Sequence, residues 1–240
     1  MIDRAGRNDD EAAEAPAAYP RYIVEDDRPT SEPPLSRNFF EKNLSHLIGR
    51  RTAGGVWPDD PADPEAVKQF QAGQRALYEE KDVVLAIRCY EAALDRDSGY
   101  IKAWVALAIA YISDNTPESL ERAEGVLTYL SGIEPNEWLT SEASSIIYQN
   151  LAYLYVHQYR QSGEKAILAK ADANYAVADA RAGDRPRIEF LCPWAYVKIE
   201  MGQEYAARAL WERAKQWAAK TGAEHLLAEY AAKYAPLRKL

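Results

Sequence analysis

Residues 102–112, KAWVALAIAYI, decide the fold. Helical spacing brings a large, a large, a small and a large residue to one face, at Trp104, Leu107, Ala108 and Tyr111. Two closely packed antiparallel helices need a small residue where their backbones approach, and large residues fill the space beside that contact. We therefore expect Ala108 to lie against Ala123 of the following helix, inside a helical hairpin.

The same pattern returns later in the chain, at Tyr148, Leu151, Ala152 and Tyr155. Each copy is followed by a second helix that carries small and large residues in turn, namely Ala123, Leu127 and Leu130, then Ala171, Tyr175 and Ala178. Divergent copies lie upstream, at Phe70, Gly73 and Leu77 with Ala86, Tyr90 and Ala93, and downstream, at Leu191, Trp194 and Ala195 with Ala207, Trp211 and Ala214. The repetition predicts four hairpins.

This pattern resembles the tetratricopeptide repeat, W-x2-L-G-x2-Y followed by A-x3-F and P in about 34 residues. The resemblance covers about residues 64–220, and Pro135 closes the second unit. It implies an all-α, right-handed α-solenoid of about four hairpins, because stacked hairpins share a core that one hairpin cannot bury. Three features depart from the family. The steps between units exceed 34 residues, Gly73 stands one position early, and Pro193 either kinks the first helix of the fourth unit or delays its start.

Helical periodicity is almost continuous from Pro64 onward, and Asp63 and Pro64 supply an N-cap and a first helical residue. Breaks are predicted at positions 97–99, 114–117, 132–136, 162–163, 183–186, 202 and 222. They divide residues 61–240, the predicted solenoid, into about nine helices of about 12 to 20 residues without strands. The last of these, which contains Leu226, Leu227 and Tyr230, is expected to cap the array.

Residues 1–60 form a predicted arm. Its first 35 residues are rich in Asp, Glu, Ala and Pro, a composition typical of disorder. Asn38 and Glu41 then make a capping box for a short helix over residues 38–49. Its apolar side chains are Phe39, Phe40, Leu44, Leu47 and Ile48. Several roles stay open for this helix: it could cap the N-terminal end of the solenoid, dock in the protein's own groove, dock on another copy or a separate partner, or lie on a membrane surface. The last is weakly supported because the helix is short and its polar face carries little positive charge.

Charge and hydropathy exclude several functions. The net charge of the 240-residue chain is −8, and residues 1–65 hold 14 acidic and 8 basic side chains. No basic stripe is present, so nucleic acid is not an expected partner. No run of about 18 apolar residues predicts a transmembrane segment, and the N-terminus lacks the apolar region of a secretory signal. These features predict a cytoplasmic protein, for which peripheral membrane association through a partner stays open.

The sequence offers no recognisable catalytic or metal site, and no cofactor is expected. Cys89 and Cys192 lack the spacing of a metal knuckle and are expected to be buried free thiols. None of the histidines, His46, His157 and His225, has a second histidine or a cysteine three or four residues away. The S-x-x-K match at residues 162–165 lacks the companion motifs of serine acylases and is typical of a helix cap.

The resemblance also implies that the first helices of the units line a concave groove. The corresponding positions are Lys68, Gln71, Arg75, Tyr78, Lys102, Val105, Ile109, Ile112, Gln149, Asn150, Tyr153, Val156, His157, Tyr196 and Ile199. The middle of this set is apolar and aromatic, which suits an apolar helix or an extended peptide with aromatic anchors. Some family members hold a chaperone's terminal carboxylate with a Lys/Asn/Lys/Arg set. That set is missing here, at Gln71, Arg75, Ala106, Ile146 and Asn150.

These observations predict a non-catalytic scaffold, an adaptor subunit or an assembly factor of a larger protein complex. The groove would hold a partner peptide or helix, and the arm would add a second contact that raises avidity. Two alternatives are a chaperone for a secreted or membrane-bound client and an accessory subunit of an enzyme.

Overall fold

The computed structural model describes residues 63–135, 139–182 and 188–240, which all belong to one compact unit. All regular secondary structure in these three ranges is helical, and they contain no strand. The predicted all-α class is therefore confirmed for this part of the chain. The predicted arm helix at 38–49 and the boundary between residues 60 and 61 lie outside the described residues.

Nine α-helices occur in the described ranges, in agreement with the predicted number. They are α1 (Pro64–Arg75), α2 (Val83–Arg96), α3 (Ile101–Asp114), α4 (Pro117–Ser131), α5 (Ser141–Ser162), α6 (Lys165–Ala182), α7 (Ile188–Glu200), α8 (Glu204–Thr221) and α9 (Glu224–Lys233). A π-helical turn, Ala76–Glu80, extends α1, and a 3₁₀ turn, Ala235–Lys239, follows α9.

Most helix boundaries match the sequence signals. Asp63 caps α1 by accepting a 2.8 Å hydrogen bond from the backbone N–H of Glu65, and Pro64 is the first helical residue. Six of the seven predicted breaks separate consecutive helices. The seventh, at 183–186, lies outside the described residues.

The boundary between α1 and α2 was not among the predicted breaks. Lys81 ends the first helix with a backbone φ of 58°, in the left-handed region, although it is not a glycine. Asp82 then caps α2 by accepting a 2.9 Å hydrogen bond from the backbone N–H of Leu85. The stretch contains neither Gly nor Pro, so Asp82 is the one local signal for the new helix.

The helices pack in chain order. Each helix packs against the next, and the short connections make neighbours antiparallel. In addition, α3 packs on α5, α5 on α7, and α7 on α9. Within the described ranges, helices more than two apart in this order make no comparable packing contact, apart from the 3₁₀ turn against α7. In the described part of the chain the packing therefore advances hairpin by hairpin, without a comparable packing contact between the first and last hairpins.

The residues of the opening stretch are buried as the sequence predicted. Ala108 and Ala123 are fully buried at the packing of α3 with α4, and only 2% of Trp104 is exposed. The Trp104 indole N–H donates a 2.8 Å hydrogen bond to the backbone oxygen of Ser98, so its polar atom is satisfied inside the core.

Gly73 has a physical reason to stand one position early. A Cβ at this position would lie 2.7 Å and 2.8 Å from two ring carbons of Tyr90. Tyr90 is fully buried, and its ring centroid is 5.8 Å from that of Phe70. Because α1 and α2 meet across an aromatic ring here, the small residue must face the ring.

Two departures concern helix length. Pro193 lies inside α7, which includes residues from Ile188 onward, so the alternative of a late start is wrong. The third unit is longer than the others because α5 has 22 residues, beyond the expected maximum of about 20.

Three of the aromatic-to-carboxylate hydrogen bonds between successive hairpins follow one pattern. Tyr111 of α3 donates to Glu91 of α2 at 3.0 Å, and Tyr155 of α5 donates to Glu124 of α4 at 3.1 Å. The indole N–H of Trp194 in α7 donates to Asp172 of α6 at 2.7 Å. In each case the first helix of one hairpin is tied to the second helix of the hairpin before it. The links recur with the hairpins, although no single sequence spacing describes them.

The C-terminal segment folds back toward the preceding hairpins. None of the residues in α9 is fully buried, and Leu226, Leu227 and Tyr230 are half-buried against the core. The residues that follow are more deeply placed, since Tyr234 and Leu237 are 2% and 1% exposed. We call residues 224–240 the tail. It packs on α8, as a cap would, and also on α7.

Candidate partner-binding surface

The predicted groove residues differ widely in exposure. Gln71 and Tyr78 are exposed. Nine are half-buried, namely Lys68, Arg75, Lys102, Ile109, Gln149, Asn150, Tyr153, His157 and Ile199. Four are buried in this structure, namely Val105, Ile112, Val156 and Tyr196. The buried positions contribute to helix packing. The assignment of the set to partner binding stays a prediction.

The tail covers the part of this set that lies on α5 and α7. The tail residues that make these contacts are Lys233 and Tyr234. They meet a surface formed by Tyr153, His157 and Arg160 of α5 and Tyr196 of α7, which we call the tail site. Three of its four members belong to the predicted groove, so part of that groove is filled by the chain itself.

Aromatic stacking and cation–π contacts hold the tail on its site. The ring of Tyr234 stacks on that of Tyr196 with centroids 4.7 Å apart. Lys233 lies 4.9 Å from the ring centroid of Tyr153 and donates a hydrogen bond to its hydroxyl oxygen. The guanidinium of Arg160 lies 5.9 Å from the ring centroid of Tyr234. These are the geometries in which ring faces attract rings and cations.

His157 connects the tail site to α3. Its ring makes an edge contact with Tyr153 at 4.7 Å between centroids, and its Nδ1 lies 3.1 Å from Oδ1 of Asn115. An amide oxygen accepts hydrogen bonds, so this contact places the proton of the neutral ring on Nδ1 and leaves Nε2 as an acceptor. Burial, reinforced by the charges of Lys233 and Arg160, lowers the pKa of His157 to about 4. The ring is therefore neutral at physiological pH.

Some buried polar atoms at this contact lack hydrogen-bond partners. They are Nε2 of His157 and the hydroxyls of Tyr175 and Tyr234, all without a partner among the described residues. Tyr175 is fully buried in α6, and its ring stacks with Trp194 at 6.2 Å. Burial raises the pKa of both phenols, so they remain protonated donors. The contact between tail and tail site is thus well packed but incompletely hydrogen-bonded.

The N-terminal part of the predicted groove has a different character. Tyr78 is 55% exposed, one of three large hydrophobic residues this open in the described part, with Val84 and Tyr205. Lys102 lies 5.6 Å from the ring centroid of Phe70. This part of the predicted groove therefore combines the exposed Tyr78, on the π-helical turn after α1, with the half-buried Lys102, on α3.

A separate shallow cavity of about 430 Å³ lies between α4, α5 and the start of α6. It is lined by Pro117, Leu120, Glu121, Glu124, Gln158, Gln161, Ser162 and Ile167, none of which belongs to the predicted groove. The carboxylate of Glu124 is already occupied, because it accepts hydrogen bonds from Tyr155 and Gln158. We therefore place the candidate site on the odd-numbered helices, where exposed and half-buried aromatic side chains concentrate.

The described residues hold no group of three or more His, Cys, Asp or Glu side chains arranged to bind a metal ion. Cys89 and Cys192 are buried free thiols, as predicted. Burial raises the pKa of both, to about 12 for Cys192, so neither is a reactive thiolate. Ser162 is the last residue of α5, and its hydroxyl oxygen accepts a 3.1 Å hydrogen bond from the backbone N–H of Glu164, just before α6 begins at Lys165.

Arg160, Lys233 and Tyr234 were not among the predicted site residues. Arg160 follows Tyr153 and His157 at helical spacing, and this was the available sequence signal. The tail residues carried no signal for their target, because Lys233 meets Tyr153 across 80 positions of sequence.

Comparison with protein-family models, with curated proteins and with solved structures finds no match for this chain. None of the helices in ranges 63–135, 139–182 and 188–240 is both long enough and apolar enough to cross a membrane.

Proposed function

We propose that this chain is a non-catalytic protein-interaction scaffold of the tetratricopeptide-repeat type, acting as an adaptor subunit or assembly factor in a cytoplasmic multi-protein complex. One observation carries the proposal: in addition to the packing of each helix on the next, α3 packs on α5 and α5 packs on α7, so the first helices of these consecutive hairpins are in contact. When consecutive hairpins meet through their first helices, those helices lie side by side and form a continuous surface.

The chemistry of that surface supports a protein partner. It presents aromatic and aliphatic side chains with scattered positive charges, among them Tyr78, Lys102 and Ile109. Tyr and Arg are enriched among the residues that dominate protein interfaces. Nucleic acid is a poor alternative, because residues 66–240 carry nearly equal numbers of acidic and basic side chains. The arm, with its apolar positions Leu44 and Leu47, supplies the second contact of this proposal.

Affinity capture from the source cells tests the proposal with four versions of the full chain. They are the wild type, Tyr78→Ala, Tyr205→Ala and a variant with both Leu44→Asp and Leu47→Asp. Tyr205 is the matched control, since it is 89% exposed and lies outside the predicted groove. We expect Tyr78→Ala to reduce capture of a specific protein about tenfold or more, as loss of an interface anchor does. Tyr205→Ala should have no effect.

The arm variant should reduce capture of the same protein. Equal recovery of every captured protein by all four versions would refute the scaffold proposal. Recovery that depends on Tyr78 but not on the arm would leave the groove in place and remove the second contact.

A further inference from the structure

The contact between the tail and the tail site has the character of a bound peptide. Its buried part is concentrated in Tyr234 and Leu237, while α9 contains no fully buried residue. Binding energy focused in a few aromatic and aliphatic anchors, with weak contacts around them, is typical of peptide recognition. The tail is therefore attached at anchors and is not built into the core along its length.

The contact between the tail and the tail site leaves buried polar atoms unpaired, which favours replacement of the tail by another segment. Nε2 of His157 and the hydroxyl of Tyr234 are buried at this contact, and neither has a hydrogen-bond partner among the described residues. An unpaired buried polar atom loses its hydration without compensation, and release of the tail restores that hydration. A different segment that donated a hydrogen bond to Nε2 would fit the site better than the tail does.

The tether gives the tail its advantage over a free ligand. Gly222 ends α8 with a φ of 70°, and Ala223 is the one residue between it and α9. Such a short connection holds the tail at a high effective concentration beside its site. A competing segment must therefore bind more tightly than the isolated tail in order to displace it.

We propose that the tail site is a peptide-binding site for partner segments with the chemistry of the tail, two aromatic side chains four residues apart with a lysine just before the second. The corresponding tail residues are Tyr230, Lys233 and Tyr234. The rings of Tyr230 and Tyr234 are parallel, with centroids 6.3 Å apart. The ring of Tyr234 also stacks on that of Tyr196, and the ammonium group of Lys233 lies over the ring of Tyr153. The tail competes for the same site in cis. This inference rests on the proposed scaffold function and names a partner chemistry for it.

A synthetic, fluorescently labelled peptide of residues 224–240 is the probe, and binding to the full chain is measured by fluorescence anisotropy. In the protein, Tyr234→Ala weakens the contact between the tail and the tail site, so the tail site is unoccupied for more of the time. The probe should therefore bind this variant at least about tenfold more tightly than it binds the wild type. Tyr205→Ala, with a substitution at an exposed site, should behave as the wild type does. Far-UV circular dichroism verifies that each variant is folded.

Two further variants of the protein and one altered probe test whether the probe binds at the tail site. Adding Tyr196→Ala to Tyr234→Ala removes the stacking partner and should abolish binding of the probe. Lys233→Glu, at an exposed tail position, provides a second way to loosen the tail if Tyr234→Ala impairs folding. A probe in which both Tyr230→Ala and Tyr234→Ala are made should not bind any version.

The outcomes separate this inference from the proposed function. Failure of the probe to bind either loosened variant, equal binding to the wild type and both loosened variants, or undiminished binding to the Tyr196→Ala double variant would each overturn the inference. The scaffold function would then still stand if capture depends on Tyr78. If the probe binds the loosened variants as expected but no protein is captured in a way that depends on Tyr78 or the arm, the tail site is supported as a peptide-binding site and the proposed scaffold function is rejected.

Discussion

Replacing Gly73 with Ala tests the packing of the first hairpin. The new Cβ would lie 2.7 Å and 2.8 Å from two carbons of the buried Tyr90 ring, about 1 Å closer than ordinary contact. Overpacking costs about 1–3 kcal/mol, and a clash with two carbons of a buried ring should fall in the upper part of that range, about 2–3 kcal/mol, because the ring and the backbone cannot both stay in place. Ala is also a better helix former than Gly by about 1 kcal/mol, which offsets part of that cost. We expect a net loss of about 1–2 kcal/mol for Gly73→Ala.

Gly125→Ala is the matched control. Gly125 also lies inside a helix, α4, and a Cβ there meets no atom within 4 Å. The propensity gain should therefore appear without a clash, and stability should rise by up to about 1 kcal/mol. The two variants should differ by about 2–3 kcal/mol, which corresponds to roughly 1 M in the urea midpoint followed by circular dichroism at 222 nm. A Gly73→Ala chain as stable as the wild type would refute the packing of α1 on Tyr90.

Three other predictions concern the core and the tail. Trp104→Ala should destabilise the chain by about 3–5 kcal/mol, measured by urea unfolding, because it empties a buried aromatic position. Cys192 should resist alkylation by iodoacetamide at pH 8 in the native chain, since its pKa is raised to about 12, and should react once the chain unfolds. The pKa of His157 is lowered to about 4, so the neutral form is favoured while the tail is closed, and stability is lost as the pH falls from about 6.5 toward 4. Hydrogen exchange of the tail, corrected for intrinsic rates, should therefore accelerate between pH 7 and pH 5, because protonated His157 is repelled by Lys233 and Arg160; His157→Phe should remove this acceleration.

Local signals in the sequence were sufficient for most of the helical layout. The N-cap at Asp63 and the proline that begins α4 act within a few residues, so their effects are visible in a short window. The boundary at Lys81 was harder, because a lysine in the left-handed region carries no sequence mark. The length of α5 was underestimated because its extent depends on packing against α4 and α6 as well as on the absence of breakers.

The candidate site was only partly accessible to prediction. Tyr153 and His157 could be assigned to one helix face from their spacing alone. Whether that face was open could not be determined, because the answer depends on Tyr234, which returns from the C-terminus to stack on Tyr196. Contacts between residues so distant in sequence follow from the three-dimensional arrangement of the helices, which no single helical pattern contains.

A distance between the first and last hairpins tests the proposed stack most directly. Spin labels can be placed on the exposed side chains of α2 and α8 through Arg88→Cys and Arg208→Cys, with the buried native thiols left unlabelled. Three hairpin steps of about 10 Å each separate these helices in an open stack, so pulsed electron paramagnetic resonance should give a distance of about 30 Å or more. A closed bundle brings the same helices into contact and would give a main distance below about 20 Å, which would contradict the stacked arrangement and the continuous binding surface that depends on it.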